Sequence, residues 1–374
     1  MAQPYRPTEI GLVLQGGGAL GAYEWGAVTA LLELMDNAEA RGRQLTLKVV
    51  TGVSIGAING ACIVGSRNRA DARRRLTALW EDLRLDTPSF LPQQMRRDLA
   101  YLGLPGFYVP RADIWTFPTW TYVYEPNLLP GTLDRHVDFA ALNASETTFA
   151  VTAVDVEAGI LTRFRNRGAA RKDKDSDALK PEADKRVEIR PRHILASASL
   201  APAFPWTEVE GRKYWDGGLV DNTPLGDAID AFSDTPEVDR LLVVMNMYPL
   251  RARLPRNLAE VQDRVHELGY GNRMRQDGAT AKRVNDLVGT IEALAALVPA
   301  GSLTGELKAR VDRALQFKVI KVVDVDMQDP SGGEPVPQNP ADDQDGLRDF
   351  SPPTVERRRA NGYALAMKRL APLF

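Results

Sequence analysis

Residues 10–28, "IGLVLQGGGALGAYEWGAV", run from an apolar segment through three consecutive glycines into a helix-like segment. Their "GGGALG" satisfies G-x-G-x-x-G, the turn that opens a dinucleotide-binding unit. Three adjacent glycines can instead line up backbone N–H groups against a developing oxyanion. The next strand separates the two readings. A dinucleotide site wants an acid at the end of the second strand to hold the ribose hydroxyls. Here the second strand, "LTLKVVTGV", runs directly into "SIGAING", while the candidate acids, Asp36 and Glu39, fall in the preceding helix. Gly16, Gly17 and Gly18 are therefore read as oxyanion donors. A parallel sheet brings adjacent strand ends to one edge, which sets this turn beside Ser54.

Ser54 belongs to Gly52-Val53-Ser54-Ile55-Gly56, a G-x-S-x-G pattern between a strand and an apolar small-residue helix. That context predicts a sharp turn lifting the hydroxyl above the sheet edge, with Gly52 and Gly56 required where side chains would collide. A helix N-terminus there also favours negative charge on a bound intermediate. The hydroxyl needs a base, and the chain offers three histidines. His136 sits in a helix, His193 opens "HILASAS", and His266 lies on a charged helix within "VQDRVHELGY"; surface or helix-end roles are expected for all three. "KYWDGGLVDNTPL" holds a better candidate in Asp216, whose carboxylate can project into a cleft because Gly217 and Gly218 let the backbone fold back behind it. A partly desolvated aspartate within reach of a serine can act as its general base.

Outward from these motifs, strand and helix patterns alternate, so a parallel sheet covered on both faces is expected. The helix after the glycines carries Trp25, Val28, Leu32 and Met35 at helical spacing and ends at Gly42. Residues 88–135 are rich in prolines and aromatics without a clean period, and read as irregular packing or as a cap over an apolar pocket. Within them Trp115, Phe117, Trp120 and Tyr122 suit either core packing or contact with a lipid interface. "TTFAVTAVDVEAGILTRFRN" reads as two strands about a turn, and residues 168–187 as an exposed charged excursion. "PRHILASASLAPAFP" reads as a short helix closed by prolines, "VEGRKYWDGG" as a hairpin and "DRLLVVMNMYP" as a buried strand. Beyond residue 256 the pattern is mostly helical, with Val284, Leu287, Ile291 and Leu294 along one face. A strand at "KVIKVVDVDM", a flexible linker at about 328–348 and a final helix capped by Ser351 complete the chain. The division expected is 9–250 as catalytic domain and 251–374 as a mostly helical C-terminal region.

The 374 residues carry a formal net charge of −2, which gives no reason to expect nucleic acid as a partner. The single cysteine, Cys62, follows an apolar run and reads as a buried, inert thiol in a reducing compartment. The N-terminus has no apolar core of signal-peptide length, and no run reaches the roughly 18 apolar residues of a membrane span. A soluble, cytoplasmic protein is expected, with at most peripheral, transient membrane contact.

With the glycine loop, the serine turn, "ASASLAPAFP" and Asp-Gly-Gly in this order, residues 9 to 228 resemble the patatin-like phospholipases. "YWDGGLVDNTPL" and "DFSPPTVERRRANGYALAMKRL" resemble a bacterial subgroup with an extra C-terminal region. The resemblance implies a three-layer α/β/α fold with a mainly parallel central sheet. It also implies a Ser–Asp dyad without histidine, in which Ser54 is the nucleophile, Asp216 the base and Gly16 to Gly18 the oxyanion hole. The implied activity is hydrolysis of fatty acyl esters in phospholipids, lysophospholipids or neutral lipids, with no cofactor and no metal. The lack of a calcium-loop pattern agrees with that last point. An acyltransferase using the same acyl-enzyme and a catalytically silent lipid-binding scaffold are the alternatives, and a nucleotide-binding dehydrogenase is disfavoured by the misplaced acids.

Overall fold

The computed structural model describes residues 5–88, 90–167, 184–233, 235, 237–248, 254–255, 258–299, 301–315, 319–327 and 346–374. In chain order the first half contains β1 (Thr8–Leu14), α1 (Gly21–Ala40), β2 (Leu45–Gly52), α2 (Ile55–Val64), α3 (Arg69–Leu83), α4 (Gln93–Asp98), β3 (Val109–Pro110), β4 (Tyr124–Glu125), α5 (Leu129–His136) and α6 (Phe139–Ala144). The second half contains β5 (Thr148–Asp155), β6 (Ile160–Arg165), β7 (Asp184–Arg186), α7 (Pro191–Ala198), β8 (Thr207–Val209), β9 (Arg212–Asp216), α8 (Leu225–Ala231), β10 (Asp239–Asn246), α9 (Leu258–Leu297), α10 (Gly305–Leu315), β11 (Lys321–Asp326) and α11 (Pro352–Leu370).

The main sheet has the order β11-β10-β1-β2-β5-β6-β7, with β8 and β9 attached through β5. The block from β11 to β5 is parallel throughout. Its central strands β1 and β10 are apolar on both faces, as a sheet covered on both sides requires. Ile10, Leu12 and Leu14 face a large core with α1 and α2, while Val13 faces a smaller one with Leu225, Ala228 and Phe232 of the α8 region. Leu241, Val243 and Met245 of β10 join the first core and Leu242 and Val244 the second, which is the alternation expected of a pleated strand. The chain thus has the three-layer α/β/α architecture read from its sequence.

α1 is buried nearly all round, because α11 covers the side that faces away from the sheet; Val355, Leu365 and Leu370 enter the same core as Val28, Leu32 and Met35. The helix ends as expected, with Gly42 at φ 88. At α11 the expected cap is displaced by two residues. Ser351 occupies the N-cap position, yet its buried hydroxyl has no partner among the described residues. Asp349 takes over, accepting the Ser351 N–H and the Thr354 hydroxyl, each at 2.9 Å. Along the apolar stripe of α9, Leu287 and Leu294 are 63% and 58% exposed, while the neighbouring Val288 is buried. The expected charged excursion lies outside the described residues through 183, after which β7 begins, and the expected linker lies outside them from 328 through 345.

Candidate active site

Strand β5 brings the two key residues together. β6 occupies one of its edges from Ala150 to Asp155. The other edge is shared: β2 pairs with it in parallel as far as Gly52 opposite Val151, and β9 pairs antiparallel, ending with Asp216 opposite Ala153. Two residues of strand advance about 6.6–6.8 Å. The C-terminal ends of β2 and β9 therefore abut, and the residue two beyond Gly52 is Ser54.

Ser54 sits at φ 54 and ψ −124, a left-handed conformation strained for a side chain, at the point where β2 turns into α2. The turn is as tight as its glycines suggest. A Cβ on Gly52 would lie 2.5 Å from the Gly56 carbonyl oxygen, and one on Gly56 would lie 2.5 Å from that of Leu14. The elbow is tied down by Ser197, whose hydroxyl accepts the Ser54 N–H at 2.9 Å and donates to the Thr152 carbonyl at 2.6 Å.

Asp216 is buried, its Oδ1 accepting the Gly218 N–H at 2.8 Å, and the nearby Ser54 hydroxyl favours its charged form. Burial raises its pKa to about 7, against the smaller opposing pull of the Gly218 amide and the Ser54 hydroxyl. A carboxylate tuned near neutrality beside a hydroxyl is suited to shuttle that hydroxyl's proton.

The glycine turn lies at the same edge, with one amide already engaged. Gly16 N–H donates to Asn222 Oδ1 at 3.0 Å, and the Gly16 carbonyl receives Asn222 Nδ2 at 3.0 Å and the Tyr248 hydroxyl. Among the described residues the Gly17 and Gly18 N–H groups have no hydrogen-bond acceptor. Gln15, just before the turn, is held by three bonds: its N–H to Glu24 at 2.7 Å, its Nε2 to Thr223 at 2.7 Å, and its Oε1 from the Met247 N–H at 2.9 Å. Burial lifts the Glu24 pKa to about 8, although Asn59 and the Gln15 amide both favour its charged form.

Gly16, Gly17, Gly18, Ser54, Asp216 and Gly218 line one cavity of about 150 Å³. Gly52, Gly56 and Gly217 stand behind it and shape the turns. Its walls are apolar. Phe107, Tyr108 and Tyr124 of the expected cap meet Phe204 in a ring cluster with centroids 4.8 to 6.1 Å apart. Trp115 and Phe117 point outward, 79% and 66% exposed, whereas Trp120 and Tyr122 are half-buried and flank the Arg111 guanidinium at 4.5 and 4.4 Å.

Two histidines fit the helix-end reading: His136 ends α5 and bonds Asp82 at 2.8 Å, and His193 accepts the Arg190 N–H at 2.9 Å in the first turn of α7. His266 does not. Together with Tyr270 of the same helix it lines the cavity, its ring stacked on that tyrosine. Cys62 is buried as expected, which pushes its thiol up to about 12.

Three glycine, serine and aspartate blocks brought to one sheet edge match a known family, and the sequence model of the patatin-like phospholipases fits residues 12–229. The chain belongs to the patatin-like phospholipase family. Membership of this family implies lipid acyl hydrolysis. Among solved structures, this patatin-like chain is similar to VipD from Legionella pneumophila, at 14% identity and a TM-score of 0.37, over 99% of this chain and 67% of that one. It is also similar to a chain of the heterodimeric ExoU–SpcU complex from the type III secretion system of Pseudomonas aeruginosa, at 17% identity and a TM-score of 0.28, over 83% and 66%. The patatin-like chain thus spans about two-thirds of each of these solved chains. No curated protein matches it. Among the described residues, no helix is long and apolar enough to cross a membrane.

The cavity of this patatin-like chain is also shaped by residues that the sequence reading did not assign to it. Ser197 and Asn222 lie inside the motif blocks "ASASLAPAFP" and "DGGLVDNTPL", where their position next to the key residues was the available signal. Tyr248, His266, Tyr270 and Arg348 carry no local signal.

Proposed function

We propose that the protein hydrolyses fatty acyl esters of phospholipids, lysophospholipids or neutral lipids through a Ser54–Asp216 dyad and a covalent acyl-serine. The reading is carried by Ser54 and the buried Asp216 lining the floor of one apolar cavity, where β2 and β9 meet on β5. Asp216 accepts the hydroxyl proton as Ser54 Oγ attacks the ester carbonyl. The Gly17 and Gly18 amides hold the oxyanion, while Gly16, bound to Asn222, keeps the turn in place. The ester C–O bond breaks, and the leaving alcohol takes the proton from Asp216. Water then enters and gives a proton to Asp216, its oxygen attacks the acyl-serine, the proton returns to Ser54, and the fatty acid departs. Residues 9–250 form the catalytic domain in this reading, with 88–135 as its cap and 251–374 as a mostly helical region whose β11 extends the main sheet. The exposed Trp115 and Phe117 would dip into a membrane surface, and the lone buried cysteine fits a cytoplasmic site of action.

The test is hydrolysis of p-nitrophenyl esters together with labelling by a fluorophosphonate probe. Ser54→Ala abolishes labelling and lowers kcat by about 10⁴-fold or more, and Asp216→Asn lowers it by about 10³-fold or more. Turnover near the wild-type rate in both variants overturns the mechanism.

A further inference from the structure

The segment 346–350 crosses directly over the glycine turn. The Leu347 carbonyl accepts the Ala19 N–H at 2.8 Å, and a Cβ on Gly18, at φ 53, would lie 2.5 Å from that carbonyl oxygen. The segment is anchored on both sides of residue 348. The Phe350 carbonyl accepts the Leu85 N–H at 2.8 Å and its ring stacks on Trp80 at 6.2 Å. Buried Arg358 donates to the Gly346 carbonyl at 2.9 Å and to that of Asp349 at 3.2 Å. Between these anchors Arg348 stands in the cavity wall.

Its guanidinium donates to the Tyr101 hydroxyl and lies over the Tyr101 ring at 5.2 Å. Among the described residues no carboxylate stands within ion-pairing distance of it. A guanidinium with no counter-charge among the described residues, at the edge of an apolar slot, complements a molecule that is apolar at one end and anionic at the other. The planar fork of arginine suits phosphate oxygens in particular.

We propose that Arg348, far outside the family-matched residues 12–229, binds the phosphate of a phosphate-bearing acyl ester and so selects anionic lipids over neutral ones. The inference rests on the hydrolase reading of the same cavity. It assigns to the C-terminal segment a part in substrate choice.

The test compares hydrolysis of a lysophosphatidic acid with that of the monoacylglycerol of the same chain. In Arg348→Gln the ratio of the two kcat/KM values falls by about 10- to 100-fold, chiefly through KM for the phosphate-bearing ester, and Arg348→Lys recovers part of it. Dodecyl phosphate, titrated by calorimetry, binds the wild type and binds Arg348→Gln more weakly by a similar factor, with inorganic phosphate far weaker than either. An unchanged ratio, an equal fall for both esters, or inorganic phosphate binding as tightly as dodecyl phosphate overturns the proposal. If wild type hydrolyses neither ester, the hydrolase reading fails, and the dodecyl phosphate titration still decides the role of Arg348.

Discussion

The floor and the walls of the cavity are built by different means. The floor is backbone: the ends of β1, β2 and β9, two sharp turns, and carbonyl oxygens standing where any side chain on Gly52 or Gly56 would have to go. The walls are side chains from distant segments, with rings from residues 107 to 124, Phe204, Tyr248, the His266–Tyr270 pair and the Arg348 segment. A floor set by strand register tolerates almost no change. Under the proposed function, the chemistry falls to the floor and the choice of substrate to the walls.

The sharpest way to break this contrast is to put a methyl group into the floor. Gly56→Ala places a Cβ 2.5 to 2.6 Å from the Leu14 and Gln15 carbonyl oxygens, so a destabilisation of about 3 kcal/mol or more is expected, read as a large fall in Tm or loss of soluble protein. A Gly56→Ala variant with wild-type Tm would mean the elbow is not the rigid element described here.

A smaller effect comes from the charge held in the floor. Asp216 has its pKa raised from 3.8 to about 7. Between those values the folded state binds more protons than the unfolded state, so ionising the buried carboxyl costs stability as pH rises through this window. Asp216→Asn therefore raises Tm by about 5 °C at pH 8 and leaves it unchanged near pH 4. Wild-type kcat/KM rises toward a plateau as pH passes about 7, since the base must be ionised. Glu24, raised from 4.5 to about 8, adds a further loss of stability as pH rises between those values. A Tm difference independent of pH would detach Asp216 from this account.

The smallest effect is expected at the outer wall. Trp115→Ala with Phe117→Ala changes stability by about 0.5 kcal/mol or less, because both rings are exposed, but lowers co-sedimentation with phosphatidylcholine vesicles. Unfolding of this variant, or unaltered vesicle binding, would remove the interfacial role.

The same contrast decides what could be read in the sequence. The alternation of β1, α1, β2 and α2, and the placement of Ser54 at the second turn, were legible because local periodicity and glycine spacing encode them. Asp216 was legible through the glycines behind it. That β9 enters antiparallel at the vacated edge of β5 was not, because strand pairing between residues 153 and 216 leaves no local trace. The wall was hidden for a related reason. His266 sits in a charged helical stretch, and only tertiary packing turns one of its faces into the cavity. In the helix holding Val284, Leu287, Ile291 and Leu294, apolar spacing marks one face, but it cannot show that the fold leaves Leu287 and Leu294 in solvent. Even within the glycine turn, the letters could not show that Asn222 engages the Gly16 amide.

Thr152, lying between the partners of Gly52 and Asp216 on β5, acts as a spacer one residue long. Adding or removing a single residue there would leave Ser54 and Asp216 untouched in identity while sliding one against the other by about 3.3 Å and inverting the faces of everything downstream in that strand. Two proteins can thus share every reactive group of this site and differ in whether they are enzymes, according to the length of a strand that contributes no reactive group at all.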